Sequence, residues 1–490
     1  MKCGSSASFS QVTSTVGALQ RSEGLEFRKV FSADEISEVM TKARPDFRDR
    51  AFSPAVTLFG FMHQALNADK SMRQVITRIN CDRLAAGKKS VSTDTGSYSE
   101  ARHKLPIGPI RHLFYKVAQD LEPLAEEKLG PAKTRYRGRK VKVADGSTLL
   151  MPDTPANQAA FPQVKKQAKG AGFPIARIAI IFSLFTGAAY DLAIGPYQGK
   201  ETGEHALLRQ LFHCLDKDDI LLGDAYFASY FLMALLQSMG IDFLFENHGA
   251  RKSDYRTGKR LGKKDHIASI KRPAQPDWMD DTVYALLPDK INVREIQVTL
   301  ERNGCRAKKL SLITSFTDPK LDAKENLANL YGTRWSAETN LRDIKSTLSM
   351  DMLRCKTPEM VKKEIWIHLL AYNAIRKIML EAAVSKGRLP WEISFKAAIQ
   401  VFNNYSTLWR DKTLCKKFIY AEIVKAISSQ IVGQRPGRSE PRKRKRRPKP
   451  FPLLKGERQA KKFGANNPRK EIEYMQKNTI FIEVNQTLRA

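Results

Sequence analysis

The chain has 490 residues, with 83 Lys and Arg against 51 Asp and Glu, a formal net charge of +32. That length allows two or three domains, and 42% hydrophobic content supports real cores; the charge points to a polyanion, nucleic acid before a membrane surface or acidic protein. Six scattered cysteines without a Cys-x-x-Cys pair argue against a zinc ribbon or a disulfide framework, and no His-Glu-x-x-His occurs.

The opening residues are too polar for a secretory signal, and the longest apolar run, Ile178 to Ala189, is too short to span a bilayer. A soluble, cytoplasmic protein without membrane contact is expected. From about Glu26 to Gly130 the apolar periodicity predicts helices, among them Ser53 to Asn67, Ser71 to Asn80, Thr95 to Leu105 and Gly108 to Leu129. The basic residues of this bundle, Arg73, Arg78, Arg83, Lys88, Lys89, Arg102 and Lys104, suit DNA and equally suit a solvated face.

The pattern changes at Lys140-Val141-Lys142-Val143, whose period of two predicts a strand running up to Asp145 and stopping at Gly146. Ala176 to Phe185 and Ala188 to Pro196 flank Thr186-Gly187 and read as a hairpin. A helix (EHALLRQLFHCL), the apolar strand Asp218 to Asp224, a second helix (SYFLMALLQSMG) and a further strand (IDFLFEN) follow. Three strands joined by a hairpin, then helical crossovers, predict an α/β fold with a mixed sheet flanked by helices. From about His248 to Asp318 short strands and basic turns predominate, including HIASIKRP, TVYALLP, INVREIQVTL and AKKLSLITSF.

The next stretch, YGTRWSAETNLRDIK, spans Tyr331 to Lys345 and reads as helix. At roughly 100° per residue, with Tyr331 as zero, Arg334 falls near ~300°, Glu338 near ~340° and Lys345 near ~320°. One face thus carries a carboxylate, two cations and a phenol, while Leu330, Leu341, Ile344 and Leu348 form a neighbouring apolar stripe. Taken alone, this window suits a solvated face of ordinary ion pairs. A buried helix from Lys362 to Leu380 and amphipathic helix from about Glu392 to Ile431 follow. Arg435 to Pro452 (RPGRSEPRKRKRRPKPFP) is an extended basic arm, and the closing KNTIFIEVNQTLRA has strand character.

Two acids, Asp145 and Asp224, end strands of the mixed sheet, and a third, Glu338, lies on a helix after the inserted block. Acids in apolar surroundings are costly unless neutralised, and converging carboxylates suit hard cations such as Mg2+ or Mn2+. Two such ions about 3.5–4 Å apart can hold the attacking and leaving oxygens of a phosphoryl displacement.

The order Asp145, Asp224, Glu338, with Tyr-x2-Arg-x3-Glu-x6-Lys met by Tyr331, Arg334, Glu338 and Lys345, resembles the Asp-Asp-Glu transposases of the insertion sequence 4 family. The stretches Asp145 to Gln163 and Gly258 to Pro273 look like family segments too, and the resemblance covers roughly Thr95 to Pro452. It implies an RNase H-like core with a β-rich insertion at about 248–318. A helical DNA-binding domain over 1–135, a catalytic domain over 136–385, a helical region over 386–434 and a basic tail over 435–490 are expected. The implied activity is cleavage and strand transfer at terminal inverted repeats of double-stranded DNA, including target DNA. Asp145, Asp224 and Glu338 would ligate two Mg2+ ions, with Mn2+ as substitute. Tyr331, Arg334 and Lys345 would hold phosphates, and Trp335 would help unstack a base, with Trp278 a weaker candidate. A homodimer in a synaptic complex, in a bacterial cytoplasm and on the nucleoid when DNA-bound, completes the expectation. One departure is Ala225, where several relatives place Arg directly after the second Asp. A nuclease that cuts without joining, or an inactive DNA-binding remnant, stays open at this point.

Overall fold

The computed structural model describes residues 31, 38–39, 42–43, 51–168, 170–300, 308–410 and 413–432. The basic arm and the strand-like closing segment lie outside them. Before the sheet run α1 (Pro54–Leu66), α2 (Met72–Ala85), α3 (Gly96–Lys104), α4 (Ile107–Leu129) and the single turn α5 (Pro131–Thr134). Ser53 and Ser71 cap α1 and α2, each accepting from a backbone N–H of the first turn.

Alternating Val141, Val143 and Ala144 start β1 (Val141–Leu150), which α6 (Pro155–Ala160) follows. β1 runs antiparallel to β2 (Ile175–Ser183), and β2 antiparallel to β3 (Ala189–Pro196). The turn between β2 and β3 places Gly187 at φ 71°, a left-handed backbone that glycine adopts without a Cβ penalty. After α7 (Glu204–Arg209), β4 (Ile220–Gly223) lies parallel to β1; after α8 (Tyr230–Ser238), β5 (Asp242–Glu246) lies parallel to β4. The order β3-β2-β1-β4-β5, with β2 and β3 antiparallel to their neighbours and the rest parallel, is an RNase H-like core.

The inserted block continues this sheet. β6 (Lys259–Gly262), β7 (Asp265–Lys271), β8 (Lys290–Leu300) and β9 (Lys308–Thr314) form an antiparallel meander joined to β5 through β9, giving nine strands among the described residues. Two expectations change here. The segment Thr282 to Pro288, expected as a strand from its β-branched start, contains α9 (Asp281–Leu286), because the Asp280 carboxylate accepts from the Thr282 N–H at 2.9 Å and caps a helix. β1 does not stop at Gly146 but continues to Leu150, since β2 supplies a partner along its whole length.

Past the meander come α10 (Lys324–Thr333), α11 (Trp335–Arg342), α12 (Pro358–Val384), α13 (Phe395–Tyr405) and α14 (Lys416–Ser428). α12 is apolar nearly all round and is buried accordingly. It packs on α4, with the Trp366 and Phe114 rings 5.2 Å apart edge to face. Side chains of α1, α4, α12, α13 and α14 share one core with Ile178, Ile180 and Phe182 of β2. The other face of the sheet, through Ala144, Ala179 and Ile181, packs against α7 and α8. These elements belong to one unit, and the turn-rich stretch Lys165–Gly172 falls outside it. Among the described residues no helix is long and apolar enough to cross a membrane.

Candidate active site

The parallel pairing of β1 and β4 ends at Val143 opposite Leu222. Two residues further along each chain come Asp145, still within β1, and Asp224, directly after β4, so the two acids lie just past the end of the pairing between these adjacent strands. β4 ends at Gly223, where a side chain has no room: a Cβ would lie 2.8 Å from Phe227 and 3.1 Å from Phe245. The chain then turns sharply, and Asp224 Oδ1 accepts from the Tyr226 N–H at 2.9 Å.

Burial pushes the Asp145 carboxyl up to about 7. The Gly146 N–H, which donates to Asp145 Oδ1 at 2.9 Å, and the nearby Arg334 charge pull the other way. Asp224 and Glu338 add to the rise, so all three acids share one electrostatic neighbourhood.

The helix carrying Glu338 is not the single straight rod that the spacing predicts. α10 ends at Thr333, α11 begins at Trp335, and Asp343–Thr347 forms a π-helical turn. That wider turn shifts Lys345 from the position expected at ~100° per residue. Arg334 and Glu338 do meet, with Nη2 of Arg334 2.5 Å from Oε1 of Glu338. Burial opposes the Arg334 charge, but Tyr331 and the Glu338 and Asp145 carboxylates outweigh it and hold the guanidinium above its ordinary range. Tyr331 is 5% exposed and its hydroxyl donates inward to the Gly223 carbonyl at 3.1 Å. In this structure the polar end of Tyr331 is thus turned to the protein's own backbone. Lys345 is half-buried on the π turn, whereas Trp335 is 62% exposed.

Other candidates change role. Arg102 is buried, with its guanidinium 3.9 Å over the Phe61 ring and Nη2 donating to Cys355 Sγ at 3.1 Å, so it is not a DNA contact. Trp278 has the Arg209 guanidinium stacked 3.6 Å over its ring and packs against Phe231. Among the described residues, the ligand-type side chains whose donor atoms all lie within 4.8 Å of one another are Asp191, His213 and Cys214. Asp145, Asp224 and Glu338 are spread more widely than that. The Asp191 carboxylate already accepts from the Tyr115 hydroxyl at 3.0 Å, the Leu192 N–H at 2.7 Å and His213 Nε2 at 2.8 Å. Burial, with Asp191 adding to it, pushes the Cys214 thiol up to about 12. This group staples α4 and the turn after α7 to the edge strand β3.

One acid near the site has no signal in the sequence. Glu204 opens α7 as an ordinary polar helix start, yet it lies against Gly146; an alanine methyl there would sit 2.7 Å from Glu204 Cδ.

A family model described as a transposase DDE domain matches residues 136–374, a span that contains all three acids. The transposase InsG for insertion sequence element IS4 of Escherichia coli (strain K12) is 26% identical over 357 residues, covering 71% of this chain and 75% of that protein. Residues 136–374 carry a transposase DDE domain, and the chain is similar to a transposase of insertion sequence element IS4. A cryo-EM structure of the piggyBac transposase synaptic complex with hairpin DNA is 11% identical, with a TM-score of 0.39 over 84% of this chain and 86% of that one.

The donors available to this transposase at the strand ends are carboxylate oxygens. That chemistry fits a hard divalent cation, whose charge would offset the burial acting on the Asp145 carboxylate.

Proposed function

We propose that this transposase binds the terminal inverted repeats of its own insertion sequence and cuts and joins double-stranded DNA, with Asp145, Asp224 and Glu338 holding two Mg2+ ions. The observation that carries the reading is the pair Asp145 and Asp224 just past the end of the parallel pairing of β1 and β4, with Glu338 close enough to raise the Asp145 carboxyl. When bound, the ions supply charge neutralisation and an activated nucleophile for phosphoryl transfer. The protein's own groups position and neutralise.

Arg334 is assigned to a phosphate beside the cut, since a guanidinium already held next to the acids offers further donors in a fixed fork; its buried Nε has no hydrogen-bond partner. Lys345 adds a point charge. The exposed Trp335 ring is free of the core and suits stacking on an unpaired base. Tyr331 is assigned to positioning. The net charge of +32 provides the sequence-independent part of the affinity. The domain over 1–135 is our candidate for reading the repeats, that over 136–385 for chemistry, and a homodimer in the bacterial cytoplasm, bound to the nucleoid, is the proposed working form.

An assay on labelled end DNA tests the reading. With Mg2+ or Mn2+ present we expect both a cleaved 3′ end and a product joined to target DNA, and neither after chelation. Cleavage without any joined product would leave a nuclease in place of a transposase.

A further inference from the structure

Glu204 stands out among the side chains outside the three acids. Its carboxylate is half-buried and, among the described residues, makes neither a hydrogen bond nor an ion pair. Its neighbours are the residue after Asp145 on one side and, through His205, the turn after Asp224 on the other, and a carboxylate placed there suits a hard divalent cation.

The fold holds it there from two sides. The next residue, His205, donates from Nε2 to the Tyr226 carbonyl at 2.6 Å, and the two rings lie 4.7 Å apart. This docks the start of α7 on the turn that carries Asp224. On the other side, Gly146 leaves the space that the Glu204 side chain fills. A methyl at 146 would lie 2.7 Å from Cδ, 2.9 Å from Cγ and 3.0 Å from Oε2 of Glu204. Gly146 also has an N–H on Asp145, so the same residue touches one acid and makes room for another.

The two faces of the sheet matter here. Val143 packs with α10, on the face from which Tyr331 and the Glu338 helix approach, and Asp145 follows it at the period of two. Ala144 packs with Leu207 and Leu208 of α7 on the opposite face, and Gly146 follows Ala144. Glu338 and Glu204 therefore flank the Asp145 and Asp224 strand ends from opposite faces.

We propose that Glu204 is a fourth carboxylate of the metal site, serving the ion on the Asp224 side while Glu338 serves the other. This rests on the metal-dependent reading given above. The test counts bound Mn2+ by electron paramagnetic resonance on the full-length protein, with unfolding curves run alongside. Glu204→Gln is expected to keep the wild-type fold and to weaken one of two Mn2+ sites about tenfold or more. Gly146→Ala, whose backbone is outside the left-handed region, is expected to weaken the same site less by displacing the flexible carboxylate. Asp224→Ala is expected to lose both sites. If Glu204→Gln and Gly146→Ala bind Mn2+ as wild type does while Asp224→Ala does not, the role of Glu204 is overturned and the three-acid site stands. If Asp224→Ala also binds as wild type does, the metal-site reading itself fails.

Discussion

The Tyr331 hydroxyl donates to the Gly223 carbonyl at 3.1 Å, so the helix leading to Glu338 is tied to the residue immediately before Asp224. Two acids 114 positions apart in sequence thereby share one anchor. Tyr331→Phe keeps the ring in its core and removes only the bond, a change of about 1 kcal/mol in stability. We expect end cleavage to fall about tenfold with affinity for end DNA within about twofold, since an anchor affects alignment more than phosphate contacts. Rate and affinity measured on the same end duplex check this; a parallel loss of both would return Tyr331 to DNA contact.

Arg334 meets Glu338 at 2.5 Å and lowers the cost of charge on Asp145. Arg334→Ala removes the proposed phosphate donor and leaves the acids less compensated. A loss of about 10²-fold or more in cleavage is expected, with little change in overall binding, because a net charge of +32 leaves many other cations available to phosphate. Cleavage equal to wild type would make the pair an ordinary helical ion pair.

Asp145 gives a pH dependence with a definite sign. Its folded value of about 7 lies above the ordinary 3.8. Below that ordinary value the carboxyl is neutral in both states and its burial carries no ionisation penalty. Between the two values the unfolded chain releases a proton that the folded chain keeps, so stability falls as pH rises; above about 7 the full penalty remains. Its ceiling is about 4 kcal/mol, reduced by solvent. In chelator, Asp145→Asn is expected to be more stable than wild type at pH 8 by about 1–3 kcal/mol and equal to it at pH 4. Urea unfolding at both values decides, and equal stability at pH 8 would remove the burial argument.

The insertion depends on a buried pair. Arg294 is fully buried, bonds Asp265 through both Nε and Nη2 at 2.8 and 2.6 Å, and donates to the Asp322 carbonyl at 2.7 Å. It joins β7, β8 and the segment before α10. Arg294→Ala leaves Asp265 buried without its cation and is expected to destabilise by about 3–5 kcal/mol in urea unfolding. A change under about 1 kcal/mol would show that the pair tolerates water.

The legible parts of the sequence were those with strong periodicity. β2, β4 and β5 are apolar runs because both faces of the sheet are covered, and α12 is apolar round its whole circumference. Asp224 was visible for the same reason, as a charge terminating an apolar run, and Asp145 as an acid following an alternating stretch. The path of β1 beyond Asp145 was not legible, because pairing with β2, which the sequence does not display, carries it through Gly146. α9 was misread because Thr282 and Val283 favour strand while the deciding Asp280 cap is a single residue. The four-residue stripe assumed an unbroken helix, and the π turn at Asp343–Thr347 breaks that assumption at Lys345. Glu204 was invisible, since its neighbours Gly146 and Asp224 are brought to it only by the fold.

The most direct test separates chemistry from binding. Asp145→Ala, Asp224→Ala and Glu338→Ala are each assayed with Mg2+ for nicking of transposon-end DNA and, in parallel, for affinity toward the same duplex. The proposed site predicts that all three lose cleavage by about 10³-fold or more while affinity stays within about threefold, because binding rests on cations and phosphates. Nicking near the wild-type rate by any one of the three would contradict it.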